Sequence, residues 1–290
     1  MRFALFITGY KGFRFLEKLE KYKPDIVITY NNREGSNSVY YDKIIDWCNH
    51  NDINVVNKKK INQVNFDNID KIFAIGWQFI IKNNLDKLVV FHDSYLPEKR
   101  GFAPTVSSLL NKDEYLGATA FWPYPNSSDP DFGLVYSRKK VNIKKYTSLK
   151  EAFDIVVNLY CQIFNEIIEK DIKPEEIDYS KSTFSMWRDS GDAKIDWNCS
   201  AEDIKVKVLS LGYPYEICFA VYEDKNIIIT DVDIVEDVDL ILRQDHIGKI
   251  YKLDNGKPIV ICGSGLLKII VAKAEDGKEV GFDRLRRRFS

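Results

Sequence analysis

Cysteine is sparse and poorly placed for pairing. The five (Cys48, Cys161, Cys199, Cys218, Cys262) are widely separated, odd in number and contain no C-x-x-C. That argues against a disulfide framework and against a zinc site. Histidine is scarcer still, at three residues. No apolar run approaches the roughly 20 residues needed to span a bilayer. The opening MRFALFITGYKGF reads as a first β-strand and turn rather than a signal peptide, so a cytoplasmic protein is expected. Charge of one sign is also lacking. The net charge is −1, which supplies no general field for nucleic acid or an anionic membrane. The one dense basic run, Arg284, Arg286, Arg287 and Arg288, reads as a solvated tail. Internal repeats and low-complexity segments are absent.

What is present is ordinary globular material, 45% apolar and 29% charged over 290 residues. That length suits one large and one small domain. Through residue 170, short apolar runs (Phe3–Thr8, Asp25–Tyr30, Asn54–Val56, Lys71–Ile75, Lys87–His92) alternate with helical patterns such as Val39–Asn49. Such alternation predicts an α/β domain with a mostly parallel sheet covered on both faces. Tyr115–Trp122 and Gly133–Val141 read as a strand pair around a polar loop, and Ser148-x-x-Glu151 opens a long helix. Residues 171–183 are charged and aperiodic and read as a linker. From 184 to 290, a helix capped by Ser200-x-x-Asp203 precedes four short strands with Asn255-Gly256 and Asp276-Gly277 turns, predicting a small β-barrel.

The segment Val89–Pro104 concentrates chemistry-bearing residues: an apolar strand ends in His92, followed by Asp93, Ser94, a proline, a basic pair and Gly101. Ligands of open α/β sheets gather at the carboxyl ends of strands, so His92 is well placed; the bland alternative is a hydrogen-bonded strand-end histidine. His50 reads as a helix-end residue and His246 as a solvated loop residue. Asp129 and Asp131 lie in a polar loop, where aspartate commonly serves turn geometry. Gly9 and Gly12 form a glycine turn that lacks the third glycine of a dinucleotide fingerprint.

Taken together, these segments resemble the folate-dependent formyltransferases over nearly the whole chain. Their signature N-x-H-x-S-L-L-P-x-x-R-G-x-x-P corresponds to VFHDSYLPEKRGFAP, matching at His92, Ser94, Leu96, Pro97, Arg100, Gly101 and Pro104. Gly117-Ala118-Thr119, Asp131-Phe132-Gly133, Tyr179–Phe184 and Ile195-Asp196-Trp197 match further family elements. The resemblance implies a Rossmann-like catalytic domain (1–170) and an OB-like C-terminal barrel (184–290). It implies 10-formyltetrahydrofolate as co-substrate, no metal, and His92 and Asp131 as catalytic residues supported by Ser94. One position departs: the family asparagine two residues before the histidine is Val90, which cannot donate a hydrogen bond. Ser94 or Asn126 could substitute, and losing one oxyanion donor typically costs about 2.7–4 kcal/mol of barrier. By resemblance, the pterin lies between Gly76, Trp77 and Gln78 on one side and Tyr124, Asn126 and Asp129 on the other, while Trp77 reads equally as core. Gly9, Tyr10, Arg100 and Gly101 would border the acceptor.

The acceptor expected is a small molecule, the amine of a nucleotide-linked deoxyamino sugar, in lipopolysaccharide or surface-glycan synthesis. Nucleic acid is disfavoured because Asn31–Asp42 lacks the basic insertion that would hold tRNA phosphates. Methionyl-tRNA formylation, donor hydrolysis and binding without turnover are the alternatives. A homodimer through barrel strands or the helix Val39–Asn49 is open, and nothing in the sequence selects either surface.

Overall fold

The near-continuous Val/Ile/Phe runs of the first half become the centre of one sheet. A computed structural model describes residues 1–19, 21–31, 37–81, 85–125, 127–170 and 172–290. Two units are present: Met1–Ser108, Glu114–Ile143 and Glu151–Met186 form the first, and Leu109–Asp113, Lys144–Lys150 and Trp187–Ser290 the second. In chain order the first half contains β1 (Phe3–Ile7), α1 (Gly9–Glu17), β2 (Ile26–Thr29), α2 (Asn37–His50), β3 (Asn54–Asn57), β4 (Lys71–Ile75) and β5 (Leu88–His92). Then come β6 (Arg100–Gly101), α3 (Pro104–Leu110), β7 (Tyr115–Pro123), β8 (Gly133–Asn142), α4 (Leu149–Lys170) and β9 (Phe184–Ser185).

The main sheet has seven strands in the order β3-β2-β1-β4-β5-β7-β8. Strands β1 to β5 pair in parallel, and β7 and β8 run antiparallel at one side. Every residue of β1 and β2 is buried, because both faces of the parallel part are covered. One face packs aromatic rings: Phe3, Phe73 and Phe91 meet Phe164 and Tyr160 of α4 at ring separations of 5.4, 4.9 and 5.1 Å. The other face joins Ala4, Phe6, Ile28, Ile72, Ala74 and Leu88 to Phe66 and Ile69. Strand order reverses between β1 and β4, so their carboxyl ends open a crevice where ligands of such sheets bind. Thr8, Gly76 and His92 stand at that edge.

The second unit holds α5 (Ser190–Ala193), α6 (Ala201–Ser210), β10 (Phe219–Tyr222), β11 (Lys225–Val235), β12 (Ile250–Asp254), β13 (Lys257–Ile261) and β14 (Leu266–Lys273). Ser200 caps α6 by accepting from the Asp203 N–H at 3.0 Å. The strands form an antiparallel sheet in the order β10-β11-β14-β13-β12. Asn255 and Gly256, both with positive φ (50° and 75°), turn β12 into β13 as their sequence suggests. The basic tail differs from the expected solvated run. Phe289 bridges Tyr222 of β10, Arg288 bridges Lys249, and the Ile250 N–H of β12 donates to the Arg287 carbonyl. Backbone at 287–290 therefore links both edge strands, while Arg284 and Arg286 remain exposed. No helix among the described residues is long and apolar enough to cross a membrane.

Candidate active site

His92 ends β5, where the ladder to β4 stops and the side chain turns into the crevice. It is buried, and its Nε2 lies 2.9 Å from the Lys99 carbonyl. A carbonyl only accepts, so the proton sits on Nε2. That leaves Nδ1 facing Asp131 Oδ1 at 3.5 Å as the nitrogen able to exchange a proton. Asp131, at φ 47° just before β8, is held on its other oxygen by the Gly101 N–H at 2.8 Å. The polar loop and the strand end, far apart in sequence, thus meet as a His/Asp pair.

A second carboxylate stands beside this pair. Asp93 is buried, with Lys11 Nζ 2.8 Å from one oxygen and the Thr105 hydroxyl donating to the other at 2.5 Å. Burial alone would raise its pKa. The Lys11 ammonium, the His92 ring and the Thr105 hydroxyl outweigh burial and hold it at about 2. Tyr160 lies beneath, its hydroxyl pushed well above the ordinary range by burial and by the charges of Asp93 and Asp131. The sequence assigns no role to Asp93, which it places directly after His92, and does not single out Lys11, Thr105 or Tyr160. An acid directly after the strand-end histidine was a usable signal for Asp93; Lys11 lies in no motif.

Val90 and Ser94 show what this chain does at the departing position. Val90 packs against Leu96, Phe121 and Val135, a cluster that Ile177 also covers. The valine is therefore the apolar choice its surroundings call for. Ser94 is buried and its hydroxyl donates to the Glu98 carbonyl at 2.5 Å, which commits the proton an oxyanion would need. Asn126 lies outside the described residues.

A second surface follows β4, the strand beside β5. Gly76 has φ 64°, and a Cβ there would lie 3.0 Å from the Thr8 carbonyl. Trp77 rests edge-on against Phe6 and Tyr30 at 5.1 and 5.2 Å, and its buried indole N–H has no partner among the described residues. Gln78 is exposed and accepts from the Tyr30 hydroxyl at 3.2 Å. A cavity of about 410 Å³ lies here, lined by Phe6, Lys58, Phe66, Trp77, Phe79 and Ile81 among others. On the β7–β8 loop, Tyr124 packs on Phe132 at 5.1 Å and Asp129 is exposed.

The residues expected at the acceptor side are placed differently from one another. Tyr10 is buried, its hydroxyl donating to Asp154 at 2.7 Å, with Gly9 buried beside it. Arg100 is also buried; its Nε donates to the Pro130 carbonyl at 2.8 Å, and its guanidinium stacks within 5.2 Å of the Phe132 and Tyr179 ring centres. Of these four, Gly101 touches the His/Asp pair directly. Among the described residues no group of three or more His, Cys, Asp or Glu could hold a metal ion.

Fold and site can be set beside known proteins. Residues 189–289 match the formyl transferase C-terminal domain. Methionyl-tRNA formyltransferase of Clostridium acetobutylicum is 27% identical over 233 residues, 78% of this chain and 71% of that protein. Among solved structures, the sugar 3N-formyl transferase WlaRD, in the presence of dTDP and 5-N-formyl-THF, aligns over 98% of this chain and 99% of its own. Its TM-score is 0.66 at 15% identity. A Helicobacter canadensis N-formyltransferase, in complex with folinic acid and dTDP-3-aminofucose, aligns over 93% of this chain and 98% of its own, with TM-score 0.63 at 14% identity. Residues 189–289 therefore carry a formyl transferase C-terminal domain, and the chain shares the fold of the solved N-formyltransferases over nearly its whole length.

Proposed function

We propose that the protein transfers the formyl group of 10-formyltetrahydrofolate to the amino group of a nucleotide-linked deoxyamino sugar, with His92 and Asp131 as the reacting pair. The observation that carries the reading is the His92 Nδ1–Asp131 approach at 3.5 Å, with both outer atoms of the pair already hydrogen-bonded. The donor's flat heterocycle fits the surface after β4, where an indole N–H with no partner among the described residues and an apolar cavity lie together. When bound, the donor supplies an electrophilic formyl carbon.

The chain's own residues then handle one proton. An amine attacks only when unprotonated, so a base must take its proton as the new N–C bond forms and the bond to the folate nitrogen breaks. Asp131 and His92 Nδ1 are the groups placed to accept it, and the same proton can pass to the departing nitrogen. The Lys99 carbonyl keeps a proton on Nε2 and holds the ring in one orientation throughout, a role a carboxylate plays in other histidine sites.

The small acceptor is supported by the sparse basic character of residues 31–42 and by the amino-sugar ligand of the Helicobacter canadensis neighbour. A second reading, methionyl-tRNA as acceptor, is favoured by the Clostridium acetobutylicum relative. One experiment separates them: incubate the protein with 10-formyltetrahydrofolate and, in parallel, dTDP-linked amino sugars and methionyl-tRNA. Formylated sugar with unmodified tRNA is the expected result. Formylated tRNA alone would transfer the assignment, and formate with neither product would make the enzyme a donor hydrolase.

A further inference from the structure

The stretch between α4 and the second unit is charged and aperiodic, yet it is bonded at several points to the segments that carry His92 and Asp131. Glu175 exchanges both backbone hydrogen bonds with Val135, at 2.8 and 2.9 Å. The Tyr179 hydroxyl donates to the Gly133 carbonyl at 2.8 Å and accepts the Gly133 N–H at 3.2 Å. Its ring meets Phe132 edge-on at 4.6 Å. Gly133 and Phe132 immediately follow Asp131, so this clamp fixes the backbone from which that carboxylate projects.

On the histidine side the connection runs through one peptide plane. The Lys99 carbonyl receives His92 Nε2. Across the same peptide bond, the Arg100 N–H donates to the Thr183 carbonyl at 2.9 Å. In a planar trans peptide the C=O and N–H point opposite ways, so Thr183 sets the direction in which Lys99 presents its oxygen. The Thr183 hydroxyl also accepts the Lys99 N–H at 2.8 Å. One residue on, β6 and β9 pair Gly101 with Ser185, and Gly101 is the donor to Asp131. Only glycine suits that position: φ is 100°, and a Cβ would come within 2.5 Å of the Ser185 carbonyl. Arg100 completes the tie, its guanidinium bonded to the Pro130 carbonyl and to Ser182.

We propose that Tyr179–Ser185 is a positioning strap that sets the distance and orientation between His92 and Asp131, with Thr183 and Tyr179 as its positioning residues. The inference rests on His92 and Asp131 being the reacting pair, and its test does not need turnover. The chain has three histidines, so the ring nitrogen signals of His92 can be assigned in a 15N-labelled sample by their loss in His92→Ala. Thr183→Val and Tyr179→Phe each remove one hydroxyl and keep the side-chain bulk. In both, the His92 ring signals are expected to shift while those of His50 and His246 stay in place; Thr183→Ser should restore them. A strap that merely stabilises the fold would lower the melting temperature and leave the His92 signals of the folded protein unchanged, and that result overturns the proposal. If Thr183→Val does not fold, Tyr179→Phe decides alone. Full formyl transfer by His92→Ala would instead sink the site assignment while leaving the spectroscopic result standing.

Discussion

The segments that follow the neighbouring strands β5 and β4 are built on opposite principles. On the β5 side, His92 Nε2, the outer oxygen of Asp131, both oxygens of Asp93 and the Ser94 hydroxyl all have short-range partners. On the β4 side, Phe79 and Ile80 are exposed and the Trp77 indole N–H is buried without a described partner. A buried donor left unpaired costs about 1–3 kcal/mol, which a ligand carbonyl could relieve. On the proposed reading the difference is a division of labour: one segment is finished in the protein alone, and the other would be finished by what binds. Charge handling needs preorganised geometry, because reorienting dipoles during reaction raises the barrier. Recognition of a flat apolar ring tolerates a softer surface.

The sharpest way to break this comparison is at the finished segment. His92→Ala and Asp131→Asn are each expected to lower turnover by about 10²–10⁴-fold, the usual contribution of a positioned acid or base, with unchanged circular dichroism. Next in size is the pair beneath it. Lys11→Met leaves Asp93 buried without its ammonium partner, and removing one partner of a buried ion pair costs about 3–5 kcal/mol, measurable as a lower denaturation midpoint.

The same pair predicts a pH dependence. Asp93 is depressed to about 2 in the folded protein, a difference from a free carboxyl of about 2 kcal/mol. That contribution is complete above the unfolded carboxyl range near pH ~4. It is lost as pH falls through about 2. Acid titration of Asp93→Asn should lack this component of the stability loss.

At the open segment the effects are smaller and of another kind. Trp77→Phe keeps the ring and removes the N–H, so KM for 10-formyltetrahydrofolate should rise by roughly 5-fold, the value of about one hydrogen bond, with kcat unchanged. Val90→Asn should cost about 1 kcal/mol of stability by setting an amide against Leu96, Phe121 and Val135. It should not increase turnover, and a clear gain would mean the family asparagine geometry is still available.

Most of the fold was legible because periodicity is local. The parallel strands are near-continuous apolar runs, and the Asn255-Gly256 hairpin and Ser200 cap are written in adjacent residues. The pieces that escaped are those whose meaning is set at long range. Strands β6 and β9 are two residues each, too short for any pattern, and acquire their role by pairing across the strap. Arg100 and Tyr10 carry polar groups that suggest exposure, yet stacked rings and Asp154 bury them. The tail at 287–290 looked solvated because its arginines dominate the composition, while its backbone completes pairing with β10 and the start of β12. His92 and Asp131 were visible through a motif; the Lys11–Asp93 pair, built from two distant segments, was not.

The most direct measurement follows formyl transfer by wild-type protein and Asp131→Asn side by side, with 10-formyltetrahydrofolate and the dTDP-linked amino sugar that wild type accepts. Acceptor mass and tetrahydrofolate release are the two readouts. The account predicts both signals in step for wild type and their joint loss in Asp131→Asn at unchanged donor binding. Equal turnover by the two proteins would contradict it and move the chemistry away from the His92–Asp131 pair.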